Sequence, residues 1–95
     1  MSEDKLFEFE IIAANGEQIG LKTSYIQIRC ESGWRGIMKN NGPLYALLDH
    51  DNMYYDDERG VRKFININDG VLRVKSGKVE ILTKDFELLS EGVTA

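Results

Sequence analysis

The stretch Phe64-Ile65-Asn66-Ile67-Asn68-Asp69-Gly70-Val71-Leu72-Arg73-Val74-Lys75-Ser76-Gly77-Lys78-Val79-Glu80-Ile81 repeats one pattern three times. Ile65 and Ile67 alternate with Asn66 and Asn68, Leu72 and Val74 with Arg73 and Lys75, and Val79 and Ile81 flank Glu80. A period of two puts one side of an extended chain on a core and the other in water. Asp69-Gly70 and Ser76-Gly77 tolerate positive φ, so each is read as closing a tight hairpin. The stretch therefore predicts three consecutive strands.

The same reading extends outward in both directions. Phe7, Phe9 and Ile11 alternate with Glu8 and Glu10, and Ile26, Ile28 and Cys30 alternate with Gln27 and Arg29. Asn15-Gly16, Ser32-Gly33, Asn41-Gly42-Pro43 and Asp56 to Gly60 supply further turns, and Gln18–Lys22, Leu44–Leu48 and Met53–Tyr55 read as short strands between them. Such spacing marks a sandwich or barrel. The fold expectation is all-β: a sandwich of about nine to ten short, mostly antiparallel strands. One domain spans residues 1–95, with its core at about 6–84 and a short tail at 85–95. Lys84–Glu91 is read as one or two helical turns, with Phe86, Leu88 and Leu89 facing the sandwich and Gly92 ending it.

Composition narrows the function. A chain of 95 residues supports one domain with a real core. The net charge of −4 is spread along the sequence and offers phosphate backbones little attraction, so nucleic acid is not expected as a partner. Cys30 is the only cysteine, which rules out an internal disulfide and suits a reducing compartment. Met1-Ser2-Glu3-Asp4-Lys5 leads into no apolar run of the signal-peptide kind, and no segment reaches the roughly 18 apolar residues of a membrane helix. Any membrane association is expected to come through other subunits.

Catalytic and metal motifs fail on detail. Counted from Asp49, a calcium loop would need glycine where Tyr54 stands and glutamate where Gly60 stands. Ser76-Gly77-Lys78 resembles the end of a phosphate loop, but Leu72 occupies the first glycine position and no helix follows. His50 is the only histidine, too few for a zinc site with one distant cysteine, and no Gly-x-Ser-x-Gly elbow marks Ser24, Ser32, Ser76 or Ser90 as a nucleophile. No cofactor, metal or catalytic residue is expected.

The least ordinary segment is Ser32-Gly33-Trp34-Arg35-Gly36-Ile37-Met38-Lys39-Asn40-Asn41-Gly42-Pro43-Leu44, which holds the only tryptophan and the only proline. Two readings stand. It is a loop with Trp34 folded back on the core, or a surface loop that presents Trp34, Arg35, Met38, Lys39, Asn40 and Asn41 to a partner, since Trp and Arg are enriched among interface anchors. On the second reading these residues gather at one end of the sandwich.

The order of segments resembles the N-terminal β-sandwich of the epsilon subunit of F-type ATP synthases. Phe9 to Gly16 is similar to that family's opening strand and turn, Gly33 to Leu44 to its Gly-x-x-Gly-Ile-x-Pro-x-His-Ala-Pro-Leu loop, Phe64 to Val74 to its strand, glycine turn and strand, and Val79 to Thr83 to its final strand. Lys39, Asn41 and Gly42 stand where the family has proline, histidine and alanine, and Trp34 and Arg35 replace its acidic residue and leucine. The resemblance implies a non-catalytic central-stalk subunit that docks the gamma subunit onto the membrane c-ring and couples ion transport to ATP synthesis, with Gly33 to Leu44 facing the ring. It implies a peripheral place on the cytoplasmic face of a bacterial-type cell membrane. Eleven residues follow Lys84, too few for the family's C-terminal helical hairpin, so ATP binding is not expected. The alternative reading is a small jelly-roll-like carbohydrate-binding module that stacks ligand on Trp34, Tyr54 and Tyr55. A sugar module would gather its aromatics in one groove, whereas a docking domain would show a broad apolar patch.

Overall fold

The structure, a computed structural model, describes residues 5–89. Ten strands account for most of them: β1 (Phe7–Ala13), β2 (Gln18–Thr23), β3 (Tyr25–Cys30), β4 (Gly33–Ile37), β5 (Leu44–Leu48), β6 (Asp51–Asp56), β7 (Arg62–Ile67), β8 (Gly70–Lys75), β9 (Lys78–Thr83) and β10 (Phe86–Leu88). Their hydrogen-bonded order is β10-β7-β6-β3-β5-β8-β9-β1-β2, with β4 added on β3. All pairs are antiparallel except β1 with β9, which run parallel from Glu8↔Lys78 to Ala13↔Thr83.

The ladder folds over at one point. β3 and β5 share only the pair Cys30↔Leu48, so the sheet bends there into two layers, β10-β7-β6-β3-β4 and β5-β8-β9-β1-β2. The inward halves of the alternating strands then face each other. Phe9 of one layer meets Tyr55 of the other with ring centroids 5.1 Å apart. Phe7, Ile11, Ile26, Ile28, Cys30, Ile37, Leu48, Met53, Ile65, Ile67, Leu72, Val74, Val79 and Ile81 complete the core. This is the expected all-β sandwich.

Two buried threonines pin the places where the chain changes layer. The Thr23 hydroxyl lies 2.7 Å from the Asp56 carbonyl and 2.9 Å from that of Tyr25, at the β2-to-β3 crossing. The Thr83 hydroxyl lies 2.6 Å from the Asp69 carbonyl and 3.1 Å from those of Asn68 and Asp85, at the crossings from β7 to β8 and from β9 to β10. Each hydroxyl has one proton to donate, and the backbone N–H groups of Ser24, Lys84 and Asn68 serve the Asp56, Asn68 and Asp85 carbonyls alongside it.

Three local expectations are corrected. Lys84 to Leu89 is not helical: Phe86–Leu88 is a strand on the edge of β7, with Phe86↔Ile67 and Leu88↔Ile65. The open edge of β7 offers backbone partners that an isolated helical turn cannot match; Ser90 to Gly92 lie outside the described residues. Gly33–Ile37 is not a loop but strand β4, paired with β3 from Ile26↔Ile37 to Cys30↔Gly33. Asp69-Gly70 does not close a hairpin, because β7 pairs with β6 and β10 while β8 pairs with β5 and β9. Asp69 (φ 56°) and Gly70 (φ 151°) instead redirect the chain between layers. Ser76 (φ 50°) and Gly77 (φ 77°) do form the expected two-residue hairpin turn between β8 and β9.

Candidate docking surfaces

The six residues singled out from the sequence fall into two groups. Trp34 and Arg35 sit on β4 next to its hairpin with β3, opposite Arg29 and Ile28. Met38, Lys39, Asn40 and Asn41 follow the far end of β4 and line a depression with Lys5 and Ser24. Four residues of extended chain, about 13 Å, separate Trp34 from Met38. The structure thus does not gather the six at one end of the sandwich, because the segment between Gly33 and Ile37 is extended along β3. All six side chains are exposed, Trp34 at 49 % and Met38 at 61 %.

Trp34 points away from the core, where the Arg29 guanidinium lies 5.8 Å from its ring centroid. Arg29 also stands between Asp49 and Asp51, at 3.7 and 3.8 Å. The acidic turn that resembled a calcium loop is therefore occupied by a cation of the chain itself. Arg35 lies on the inward side of β4, opposite buried Ile28, yet stays exposed because β4 is an edge. Burial pushes the Cys30 thiol above its usual range, while the neighbouring Arg35 pulls the other way. An inward-pointing charge on an edge strand also discourages further strand addition.

The aromatic set proposed for carbohydrate is split. Tyr55 is 5 % exposed and faces Phe9. Tyr54 lies on the outer side of β6 between Tyr25 and Phe64, with the Arg62 guanidinium 4.0 Å above its ring. Tyr54 and Tyr55 face opposite sides of β6, so the two rings cannot stack one ligand together with Trp34. Among the described residues no group of three or more His, Cys, Asp and Glu is arranged to hold a metal. Nor is any helix among them long and apolar enough to cross a membrane.

A surface that sequence reading missed lies on the outer side of the β5-β8-β9-β1-β2 layer. The register places Leu47 opposite Val71, Val71 opposite Leu82, and Leu82 beside Ile12. These four form an apolar row across four strands, about 14 Å long. Leu47 is 51 % exposed and Leu82 41 %. Tyr45, at 70 %, stands two residues from Leu47 on the same side of β5. The sequence does carry a signal for the row. Ile11-Ile12, Leu47-Leu48, Val71-Leu72 and Ile81-Leu82 are apolar doublets in strands of period two, so one member of each must face out.

The next row along the strands is Tyr45, Arg73, Glu80 and Glu10. Its charges answer one another. Arg73 Nε donates to Glu80 at 2.9 Å, Lys78 lies 3.4 Å from Glu10, and the Gln18 amide donates to Glu10. The hydrogen bond from Arg73 holds the Glu80 carboxyl below its usual range. The third row is Lys75, Lys78, Glu8 and Lys22, three cations to one carboxylate.

Comparison with known proteins gives one consistent result. Residues 6–89 match the family described as ATP synthase, Delta/Epsilon chain, beta-sandwich domain. No curated protein sequence matches the chain. A chain of the Euglena gracilis mitochondrial ATP synthase, from a structure of OSCP, F1 and c-ring, superposes with a TM-score of 0.78 at 20 % identity, over 84 % of this chain and 51 % of its own. A chain of the Tetrahymena thermophila mitochondrial ATP synthase central stalk and c-ring gives 0.66 at 13 % identity, over 83 % and 63 %. The sandwich thus spans between half and two thirds of those chains.

Proposed function

This chain belongs to the family of ATP synthase delta/epsilon chain β-sandwich domains, and from that premise we propose that it is a non-catalytic central-stalk subunit of a rotary ATP synthase. On this reading it docks the gamma subunit onto the c-ring, so that torque passes between ion flow and the catalytic head. Its place is peripheral to the coupling membrane, held there by the complex. The observation that supports the docking role is the outward-facing apolar row Leu47, Val71, Leu82 and Ile12, of which Leu47 and Leu82 are exposed and Val71 and Ile12 half-buried. An outward-facing apolar side chain on each of four neighbouring strands is a feature of contact surfaces rather than of solvated sheet faces. The hairpin end of β4, with Trp34 and Arg35, is the candidate ring-facing contact.

Reconstitution tests this role. Vesicles carrying the c-ring, gamma and catalytic head should pump ions on ATP addition when the chain is present, and hydrolyse ATP with little pumping when it is absent. Equal pumping with and without the chain, or failure of the chain to assemble with gamma, would refute it.

A further inference from the structure

We infer that Asn41 is a site of spontaneous deamidation and backbone isomerisation, at which the Gly42 nitrogen closes a succinimide ring, whereas Asn15 is protected by its turn. The inference does not depend on the rotor reading above.

Two of the six asparagines precede glycine, Asn15 before Gly16 and Asn41 before Gly42. The nucleophile in this reaction is the backbone nitrogen of the following residue. Glycine carries no Cβ to hinder its approach to the asparagine side chain. Asn40, Asn52, Asn66 and Asn68 instead precede Asn41, Met53, Ile67 and Asp69, whose side chains crowd that approach.

The structure separates the two Asn-Gly pairs. In the turn between β1 and β2, Asn15 Oδ1 accepts from the Glu17 N–H at 2.9 Å, and Asn15 Nδ2 donates to the Glu17 carboxylate at 3.3 Å. The Gly16 N–H donates to the Ala13 carbonyl at 3.0 Å, and the Ala13 N–H donates to the Glu17 carbonyl at 2.8 Å. Nucleophile and electrophile are both held, so reaction there requires the turn to open. Asn41, Gly42 and Pro43 lie outside any strand, and all three are exposed. The Asn41 N–H donates to the Met38 carbonyl at 3.0 Å, and Asn41 Nδ2 donates to the Gly42 carbonyl at 3.0 Å. The second contact turns the side-chain amide onto the residue that attacks it. Among the described residues no hydrogen bond engages the Gly42 N–H or Asn41 Oδ1.

The Gly42 nitrogen, having given its proton to water, forms a bond to Asn41 Cγ. The Cγ–Nδ2 bond breaks, and the departing nitrogen takes up a proton and leaves as ammonia. Water then adds to either carbonyl of the ring. Addition at Cγ gives aspartate with the original backbone. Addition at the main-chain carbonyl gives isoaspartate, in which the chain reaches Gly42 through Cβ and Cγ and is longer by one methylene. The balance is one water consumed and one ammonia released, with no oxidant or reductant. Either product replaces a neutral amide by a carboxylate, which makes the formal charge of −4 one unit more negative. The new charge appears in the depression that Met38, Lys39, Asn40 and Asn41 line with Lys5 and Ser24.

Peptide mapping by mass spectrometry tests this, after the folded chain is incubated in mildly alkaline buffer made with heavy-oxygen water. Asn41 should convert to two separable products, each carrying one solvent oxygen, while Asn15 converts at least about tenfold more slowly. In urea, where the turn is lost, the two sites should react within about threefold of each other. Gly42→Ala, whose Cβ meets open space, should slow conversion at Asn41 about tenfold. Conversion at Asn41 no faster than at Asn52, or undiminished in Gly42→Ala, would overturn the site. Equal rates at Asn15 and Asn41 in the folded chain, or a difference that persists in urea, would overturn the protection by the turn.

Discussion

Phe9 on β1 and Tyr55 on β6 meet edge to face, their ring planes inclined at 65° and their centroids 5.1 Å apart. The contact crosses from one layer to the other, and the two side chains are 1 % and 5 % exposed. Aromatic pairs in this geometry stabilise by about 0.5–1.5 kcal/mol beyond the area they bury. Phe9→Ala should cost about 3–5 kcal/mol, a large part of the 5–15 kcal/mol that holds a small domain. Denaturant titration of Phe9→Ala, Tyr55→Ala and the double variant should show the two losses failing to add by about 1 kcal/mol. Strict additivity would mean that the rings do not couple the layers.

Gly70 should be the least replaceable glycine among the described residues. Its φ is 151°, and a Cβ there would run into the Leu82 carbonyl and lie 2.9 Å from Thr83 Cα. Both obstacles are backbone, so relief requires moving the β8–β9 ladder. Gly70→Ala should cost more than about 2 kcal/mol in thermal or denaturant unfolding. Gly16, at φ 99° with open space around it, serves as the control, and its alanine variant should lose only about 1 kcal/mol. Equal losses at the two sites would refute the steric argument.

These two glycines also mark where sequence reading works. Asn15-Gly16 joins two strands that pair with each other, and the alternation of Phe7 to Ile11 gives β1 directly. Asp69-Gly70 has the same appearance but joins strands of different layers, because the decisive contacts are with Leu82 and Thr83, remote in sequence. β4 was hidden for another reason. Of Gly33-Trp34-Arg35-Gly36-Ile37 only Ile37 is buried, so pairing with β3 rather than a side-chain pattern makes it a strand. Phe86 and Leu89 read as a helical spacing, yet the open edge of β7 captures the segment. The apolar row was visible only as isolated doublets, since which doublets become neighbours is settled by strand order.

Acid should loosen the β6–β7 hairpin. The Asp57 carboxylate accepts from the backbone N–H of Arg59 at 2.8 Å and of Val61 at 2.9 Å, and Lys63 Nζ lies 3.2 Å away. Partial burial acts to raise its pKa, but these hydrogen bonds and the Lys63 charge outweigh it and hold the group below the 3.8 of a free aspartate. A carboxyl depressed in the folded state contributes stability that is present above its unfolded pKa and lost as pH falls through the folded value. Stability should therefore decline below about pH 4 partly through Asp57. Asp57→Asn keeps an oxygen acceptor but loses the charge, so it should be about 1 kcal/mol less stable at pH 7 and show a shallower decline between about pH 5 and 3. An unchanged slope in urea titrations across that range would remove Asp57 from the acid response.

The two ends of β4 should behave differently in the assembled rotor. Trp34 stands beside the β3–β4 hairpin, its ring facing outward over Arg29, whereas Lys39 lies past the far end of the strand beside Asn40 and Asn41. A contact centred on the hairpin should feel Trp34 strongly and Lys39 weakly, because the extended run of β4 from Trp34 to Ile37, about 10 Å, already exceeds the Debye length of about 8 Å at physiological salt, and Lys39 lies beyond it. Trp34→Ser removes an exposed aromatic and its weak attraction to Arg29, so folding stability should change by no more than about 1 kcal/mol. If the hairpin faces the ring, Trp34→Ser should reduce ATP-driven ion pumping severalfold in reconstituted vesicles while hydrolysis by the catalytic head continues. Lys39→Glu should leave pumping within about twofold of wild type. The reverse pattern would move the ring contact to the Met38–Asn41 end, and loss of pumping in neither variant would place it away from β4 altogether.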